Sequence, residues 1–226
     1  MNILLVNDDG YQAFGINLLY DLLSKKHHVV IVAPKEAMSA KSVSIVIGRS
    51  VEVKKINDHT FAMDATPSDC VSFGLSSLNT RFDLVVSGCN HGFNVSYDTM
   101  YSGTVGACLE ALTYGVPAIA ISCDNNFDII ENYFDKVIDF VEKNKLISNE
   151  YLLNINFPLG NEVKDIRLTH IHYRSREEAT YYINNGPDQY FATRDIKDTE
   201  CTDIDSDVYA VYHQQVSITI IKKALD

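Results

Sequence analysis

Residues 7–10 read Asn-Asp-Asp-Gly, directly after the aliphatic run Ile3 to Val6. These residue types suit a turn, because they tolerate left-handed backbone and bond their own main chain. Asp8 and Asp9 also place two carboxylates side by side, and like charges raise each other's pKa unless a cation sits between them. Further donors follow other aliphatic runs. The polar stretch Ala33-Pro-Lys-Glu-Ala-Met-Ser39-Ala-Lys41-Ser42-Val-Ser44 supplies hydroxyls, Ser87-Gly-Cys-Asn90-His91-Gly-Phe-Asn94 supplies amides, and Tyr101-Ser102-Gly103-Thr104 opens a helical segment. Asp8, Asp9, a hydroxyl and Asn90 are all oxygen donors, a set that suits Mg²⁺, Mn²⁺ or Ca²⁺ better than a thiolate-seeking ion. Free N–H groups and hydroxyls at a helix start at Ser102 to Thr104 would cradle a phosphate. Gly103 would let that phosphate approach without a Cβ, so a larger residue there is expected to block phosphate more than metal. A cation beside a phosphate cradle points to phosphoester hydrolysis. Each motif also has a plain reading: a turn at 7–10, a helix cap at Ser102, loop formers at Asn90 and Asn94, a surface histidine at His91. Cys89 and Cys108 read as small buried hydrophobes.

These groups gain meaning from the elements that carry them. Ile3–Val6, Val29–Val32, Leu84–Ser87, Ala118–Ser122 and Leu152–Ile155 are too apolar to be half exposed, as expected of strands covered on both faces. Between them, helical spacing runs over Gly15–Lys25, Pro67–Leu75, Gly103–Thr113 and Asp128–Lys143. The alternation predicts an α/β fold with a doubly wound, mostly parallel sheet. Ligands in such sheets bind beyond the carboxyl ends of the strands, where the loops named above all emerge. Residues 40–64 instead alternate with period two at Ser42–Ile47, Val51–Lys55 and Thr60–Met63, which predicts a small antiparallel insertion. After Pro158 the chain becomes rich in Tyr, Thr and charge, with alternating strands at Ile166–Ile171 and Val216–Ile221. We read 1–158 as the catalytic core and 159–226 as a C-terminal β-rich arm of the same domain, used for assembly.

Composition removes several classes. A net charge of -11 argues against duplex nucleic acid or an anionic membrane as partner. Five cysteines without a CxxC pair suit reduced thiols. No signal peptide is expected from the N-terminus, and no apolar run nears a membrane span, so a cytoplasmic protein is expected. There is no GxGxxG after the first strand, no GxxxxGK[ST] and no GxSxG.

Seven stretches together, NILLVNDDG, APKEAMSAKSVSIV, ATPSDCV, SGCNHGFN, YSGTVGACLEA, GVPAIAIS and NINFP, resemble the SurE-type survival proteins, metal-dependent 5′-nucleotidases. They occur in family order across residues 1–158. The resemblance implies a Rossmann-like core in which Asp8, Asp9, Ser39 and Asn90 hold one divalent cation per subunit. It implies that Asn94, Ser102, Gly103 and Thr104 contact phosphate, and that Asp8, Asp9 and Asn90 are the catalytic set. Nucleoside 5′- and 3′-monophosphates would be the substrates, with polyphosphate a further one in some members, and the arm would build a homodimer or homotetramer. For the water's proton, Asp9 is the first candidate acceptor and His91 the second. Departures from the family pattern include Ala65 before Thr66, Lys41 after Ala40, and Cys201 and Gln214 at usual glycines. A non-catalytic sensor of nucleotide or metal is the alternative; it would bind the same ligands without releasing phosphate.

Overall fold

The computed structural model describes residues 1–173, 178–186, 189–196 and 201–223, the two segments between 178 and 196 by their backbone. In chain order the elements are β1 (Asn2–Val6), α1 (Phe14–Leu23), β2 (His28–Pro34), β3 (Val53–Asn57), β4 (Thr60–Met63), α2 (Pro67–Ser77), β5 (Leu84–His91), α3 (Asp98–Tyr101), α4 (Gly103–Thr113), β6 (Ala118–Cys123), α5 (Asp128–Lys143), β7 (Tyr151–Asn156), β8 (Asp165–Thr169), β9 (Glu178–Gly186), β10 (Gln189–Ile196), α6 (Asp207–Tyr212) and β11 (Gln215–Lys222).

One nine-stranded sheet runs β3-β4-β2-β1-β5-β6-β7-β11-β8 among the described residues, and β9 pairs with β10 separately. The pairs β4–β2, β2–β1, β1–β5, β5–β6 and β6–β7 are parallel, while β3–β4 and β7–β11 are antiparallel. The two segments predicted as strands after Pro158 therefore join this sheet, β11 against β7 and β8 against β11. The five aliphatic runs are β1, β2, β5, β6 and β7, each buried along nearly its whole length.

Both faces of the sheet are covered. On one, Ile16, Leu19 and Leu23 of α1 and Ile130, Phe134, Val137 and Val141 of α5 pack on Ile3, Leu5, Val86 and Ile121. On the other, Cys70 and Val71 of α2 and Val105, Cys108 and Leu112 of α4 pack on Leu4, Val6, Val85 and Ala120. Helix α2 begins at a capping box in which Thr66 and Asp69 bond each other's backbone, with Pro67 in the first turn. All five cysteines are free, and four are buried. No helix among the described residues is long and apolar enough to cross a membrane.

One predicted strand is corrected. Ser42–Ile47 forms no strand, and Val43, Ile45 and Ile47 stand exposed. Its backbone bonds are taken by helices instead. Ser42 N–H donates to the Tyr101 carbonyl at 3.0 Å, Val46 N–H to the Asp69 carboxylate at 3.1 Å, and the Ser44 carbonyl accepts from the Thr66 hydroxyl at 2.7 Å. Ala40 and Ser42 also take positive φ, which no strand permits.

Candidate metal and phosphate site

Strand order reverses at β1. From it the chain moves to β2 on one side, and the later strands build outward from β5 on the other. The crevice beyond the carboxyl ends of β1 and β5 is therefore the place where this topology accepts a ligand. Asp8 and Asp9 leave β1 into that crevice. Asn7 closes the turn behind them, its Nδ2 donating to the Gly10 carbonyl at 2.9 Å, so the turn and the acidic pair are one structure.

Asp8 is almost fully buried. Its Oδ1 accepts from the Thr104 hydroxyl at 2.6 Å, and the backbone amide of Gly103 supports the same carboxylate. Burial pushes the Asp8 carboxyl up to about 6; the Thr104 and Gly103 hydrogen bonds pull against this, while the charge of Asp9 adds to it. Asp9 is half-buried, and its Oδ2 accepts from the His91 backbone N–H at 3.3 Å, tying the end of β1 to the end of β5.

Ser39 follows Met38, whose N–H donates to the Asp8 carbonyl at 2.7 Å, so the loop after β2 is fastened to the acidic turn. The same loop is seated on α4 at Gly106, where a Cβ would lie 2.1 Å from the Ser42 carbonyl oxygen. Asn90 donates from Nδ2 to the carbonyls of His91 and Gly92, at 3.3 and 2.9 Å, leaving its carbonyl oxygen as the end open to a cation. The ring of His91 is exposed and meets Phe127 edge-on at 4.8 Å.

Ser102 caps α4, its Oγ accepting from Val105 N–H at 3.1 Å. Gly103 and Thr104 then lie directly against Asp8, so the helix start and the acidic turn form one locus. The Thr104 side chain is fully buried with its hydroxyl on Asp8. Asn94 is set apart from this group. Its side chain is buried and donates to the Ser122 hydroxyl at 2.8 Å.

The donors fit a hard divalent cation. Neither Asp8 nor Asp9 has an ion-pair partner, and no group of three His, Cys, Asp or Glu side chains converges elsewhere among the described residues. Two neighbouring carboxylates thus stand without an ion-pair partner among the described residues, and the charge of Asp9 acts on Asp8. A cleft of about 400 Å³ lies at the opposite end, ahead of β5 and β6, lined by Thr80, Arg81, Asp83 and Tyr114, and shares none of these groups.

The family model for survival protein SurE matches residues 3–178. The chain belongs to the SurE family. A SurE-family relative from Clostridium botulinum (strain Alaska E43 / Type E3), named 5′-nucleotidase SurE, is 36% identical over 233 aligned residues, covering 97% of this chain and 92% of the relative. A relative of the same name from Clostridium beijerinckii is 35% identical over 234, with the same coverage. The crystal structure of a SurE protein from Aquifex aeolicus superposes with a TM-score of 0.87 at 32% identity, covering 100% of this chain and 95% of that one. The SurE fold thus extends beyond the residues whose motifs resemble the family, through β11.

Signals outside the candidate set also bear on the site. Ser122, Asn154 and Asn156 are fully buried polar residues on largely aliphatic strands; in the sequence Ser122 closes the run Ala118–Ser122, Asn154 interrupts Leu152–Ile155 and Asn156 follows it.

Proposed function

We propose that this chain is a metal-dependent phosphomonoesterase that hydrolyses nucleoside 5′-monophosphates, and 3′-monophosphates with them, to nucleoside and phosphate. The observation that carries this reading is the Asp8–Asp9 pair, without a protein cation, packed against the N-terminus of α4 in a member of a family whose relatives are named 5′-nucleotidases. Asp8, Asp9, Ser39 and Asn90 would hold one Mg²⁺ or Mn²⁺, with Ca²⁺ a further fit to the same oxygens. When bound, the cation supplies Lewis-acid polarisation of the phosphoryl group and activation of a water.

The chain's own groups do the rest. The N-terminus of α4 offers its partial positive charge to the phosphoryl oxygens, while its Gly103 and Val105 amides already serve Asp8 and Ser102. Ser102 holds that turn in register by its cap, and Asn94 holds the loop that leads into it. Asp9 Oδ2 accepts from His91 N–H, which fixes the carboxylate at the crevice; Asp9 would be the first candidate to accept a proton from water there, and His91 the second. Phosphate release measured over several nucleotides, with and without chelator, tests the reading. Release that chelator abolishes and Mn²⁺ restores supports it, whereas tight nucleotide binding without any release would overturn it.

Thr104 acts through Asp8. Thr104→Val keeps the shape but removes the 2.6 Å hydrogen bond, so Mn²⁺ affinity should fall about 10- to 100-fold, as for other outer partners of metal ligands. A titration with wild-type affinity would show that the hydroxyl does not orient the carboxylate.

Residues 159–226 would also serve assembly into a homodimer or homotetramer, supported by the separate β9–β10 hairpin and by β8, which lies at the sheet edge. Truncation after Pro158 removes β11, which pairs with β7 from Ser217 to Lys222, and should give monomers or insoluble protein through the bared β7 edge. Sedimentation of a soluble truncated dimer would contradict this.

A further inference from the structure

The loop between β5 and α4 carries Asn90 at its start and delivers Ser102, Gly103 and Thr104 at its end. Residues 92–97 between them belong to no helix or strand, yet Asn94, Val95 and Ser96 are buried. A buried peptide outside regular structure needs partners from elsewhere. For Asn94 they come from β7. Asn94 N–H donates to Asn156 Oδ1 at 2.8 Å, and Asn156 Nδ2 donates back to the Asn94 carbonyl at 3.2 Å. Asn154 Nδ2 donates to that carbonyl at 2.7 Å, and the Thr99 hydroxyl does so at 3.1 Å. Asn156 therefore acts as a neighbouring strand's peptide would, donating and accepting across one pair.

The arrangement runs against the needs of the strand. The alternate residues of β7, Leu153 and Ile155, sit in the aliphatic core, while Asn154 and Asn156 are both 0% exposed. Asn154 Oδ1 has no hydrogen-bond partner among the described residues, a desolvation cost that an aliphatic residue would not carry. What the two amides provide in return is the position of Asn94. From there the chain is stitched to the cradle, Asp98 N–H to the Val95 carbonyl at 3.1 Å and Ser102 N–H to the Asp98 carbonyl at 3.0 Å.

We propose that Asn154 and Asn156 are positioning residues: by holding the backbone of Asn94 they fix where α3 and the first turn of α4 stand against Asp8 and Asp9. The idea rests on the phosphomonoesterase reading for its kinetic readout, but not for its binding readout. Asn154→Ala and Asn156→Ala, in the full chain, are to be titrated with Mn²⁺ and then, Mn²⁺-loaded, with inorganic phosphate, alongside KM and kcat for a nucleoside monophosphate. Phosphate affinity should weaken and KM rise on the order of tenfold, as small misplacements of reacting groups do, with Mn²⁺ affinity changed less than about threefold.

Ser217→Ala is the matched control. Ser217 is equally buried on the adjoining strand and bonds Thr169, not the loop. It should lower the melting temperature without moving phosphate affinity or KM. Folded asparagine variants with wild-type phosphate affinity, or a Ser217→Ala effect of the same size, would overturn the proposal. Should the alanine variants fail to fold, Thr99→Val removes one bond from the same carbonyl in a shape-conserving way; KM and phosphate affinity should then shift by about two- to fivefold, and no shift overturns the proposal. A wild type that releases no phosphate would overturn the enzymatic reading alone, leaving the phosphate titration to decide the positioning role.

Discussion

Asp8→Asn should release almost no phosphate, yet withstand heat better than wild type when both are metal-free above pH 6. The carboxyl of Asp8 is pushed from 3.8 up to about 6, chiefly by burial. The folded chain therefore binds this proton more tightly than the unfolded chain, and stability falls as pH rises between those values. At about pH 4 the unfolded chain's carboxyl is already roughly half protonated and most of the difference is gone, and well below that pH it vanishes. Above about pH 6 nearly the full loss applies, on the order of 3 kcal/mol, at about 1.4 kcal/mol for each tenfold change in proton affinity. Asparagine carries no charge to desolvate, and its Oδ1 can still accept from Thr104. Its amide group meets the Gly103 N–H, which offsets part of the gain. At about 2–4 °C per kcal/mol for a chain of this size, the variant's melting temperature should exceed wild type's by several degrees at pH 8 in chelator, and nearly match it at pH 4. Mn²⁺ should reverse the order, because it stabilises only the protein that binds it. The drop in phosphate release should exceed about 100-fold, the upper end of what outer partners of a metal site cost. Scanning calorimetry at the two pH values, with a phosphate assay at limiting Mn²⁺, checks both halves. Wild-type turnover in Asp8→Asn would remove Asp8 from the site.

The readable parts of this fold are those governed by local patterns. Strands β1, β2, β5, β6 and β7 are rich in aliphatic residues because a parallel sheet covered on both faces leaves almost no side chain for water. The helices at Gly103–Thr113 and Asp128–Lys143 keep the bounds their spacing predicts, the first because Ser102 caps it. The loops that carry Asp8, Asp9 and Asn90 could be placed together because strand ends of such sheets share one edge, whereas Ser39 is singled out among the hydroxyls after β2 only by resemblance. What local patterns cannot carry is the identity of distant partners. Val43, Ile45 and Ile47 have the period of a strand, but Tyr101, Asp69 and Thr66 claim the backbone around them. Thr104 and Asn94 read as phosphate contacts by resemblance, and their side chains already bond Asp8 and Ser122. Asn154 and Asn156 look like blemishes in a strand until the Asn94 backbone is laid against them.

Gly103→Ala tests the point where geometry most changes the expectation. Sequence alone points to a residue kept bare for the approaching phosphate, with metal binding spared on substitution. In the structure, a Cβ on residue 103 would stand 2.9 Å from Asp8 Cβ, 3.0 Å from its Oδ2 and 3.2 Å from its Cγ. Asp8 Cβ is fixed to the end of β1 and cannot swing aside as a side-chain tip would. Either the start of α4 lifts away, or Asp8 rotates and loses the Thr104 hydrogen bond. Both outcomes misplace the carboxylate, so Mn²⁺ and phosphate affinity should fall together, and turnover by about 100-fold. Alanine gains at most about 1 kcal/mol of helix propensity over glycine, against about 1–3 kcal/mol for overpacking, so the metal-free protein should be mildly destabilised. Ser102→Ala gives the contrast, because it removes a cap at about 1 kcal/mol without adding an atom beside Asp8. It should cost similar stability and leave Mn²⁺ affinity nearly intact. Calorimetric Mn²⁺ titrations of the two variants decide the matter: Gly103→Ala that binds Mn²⁺ as wild type does, while losing phosphate, would mean that Gly103 makes room for the substrate and not for Asp8.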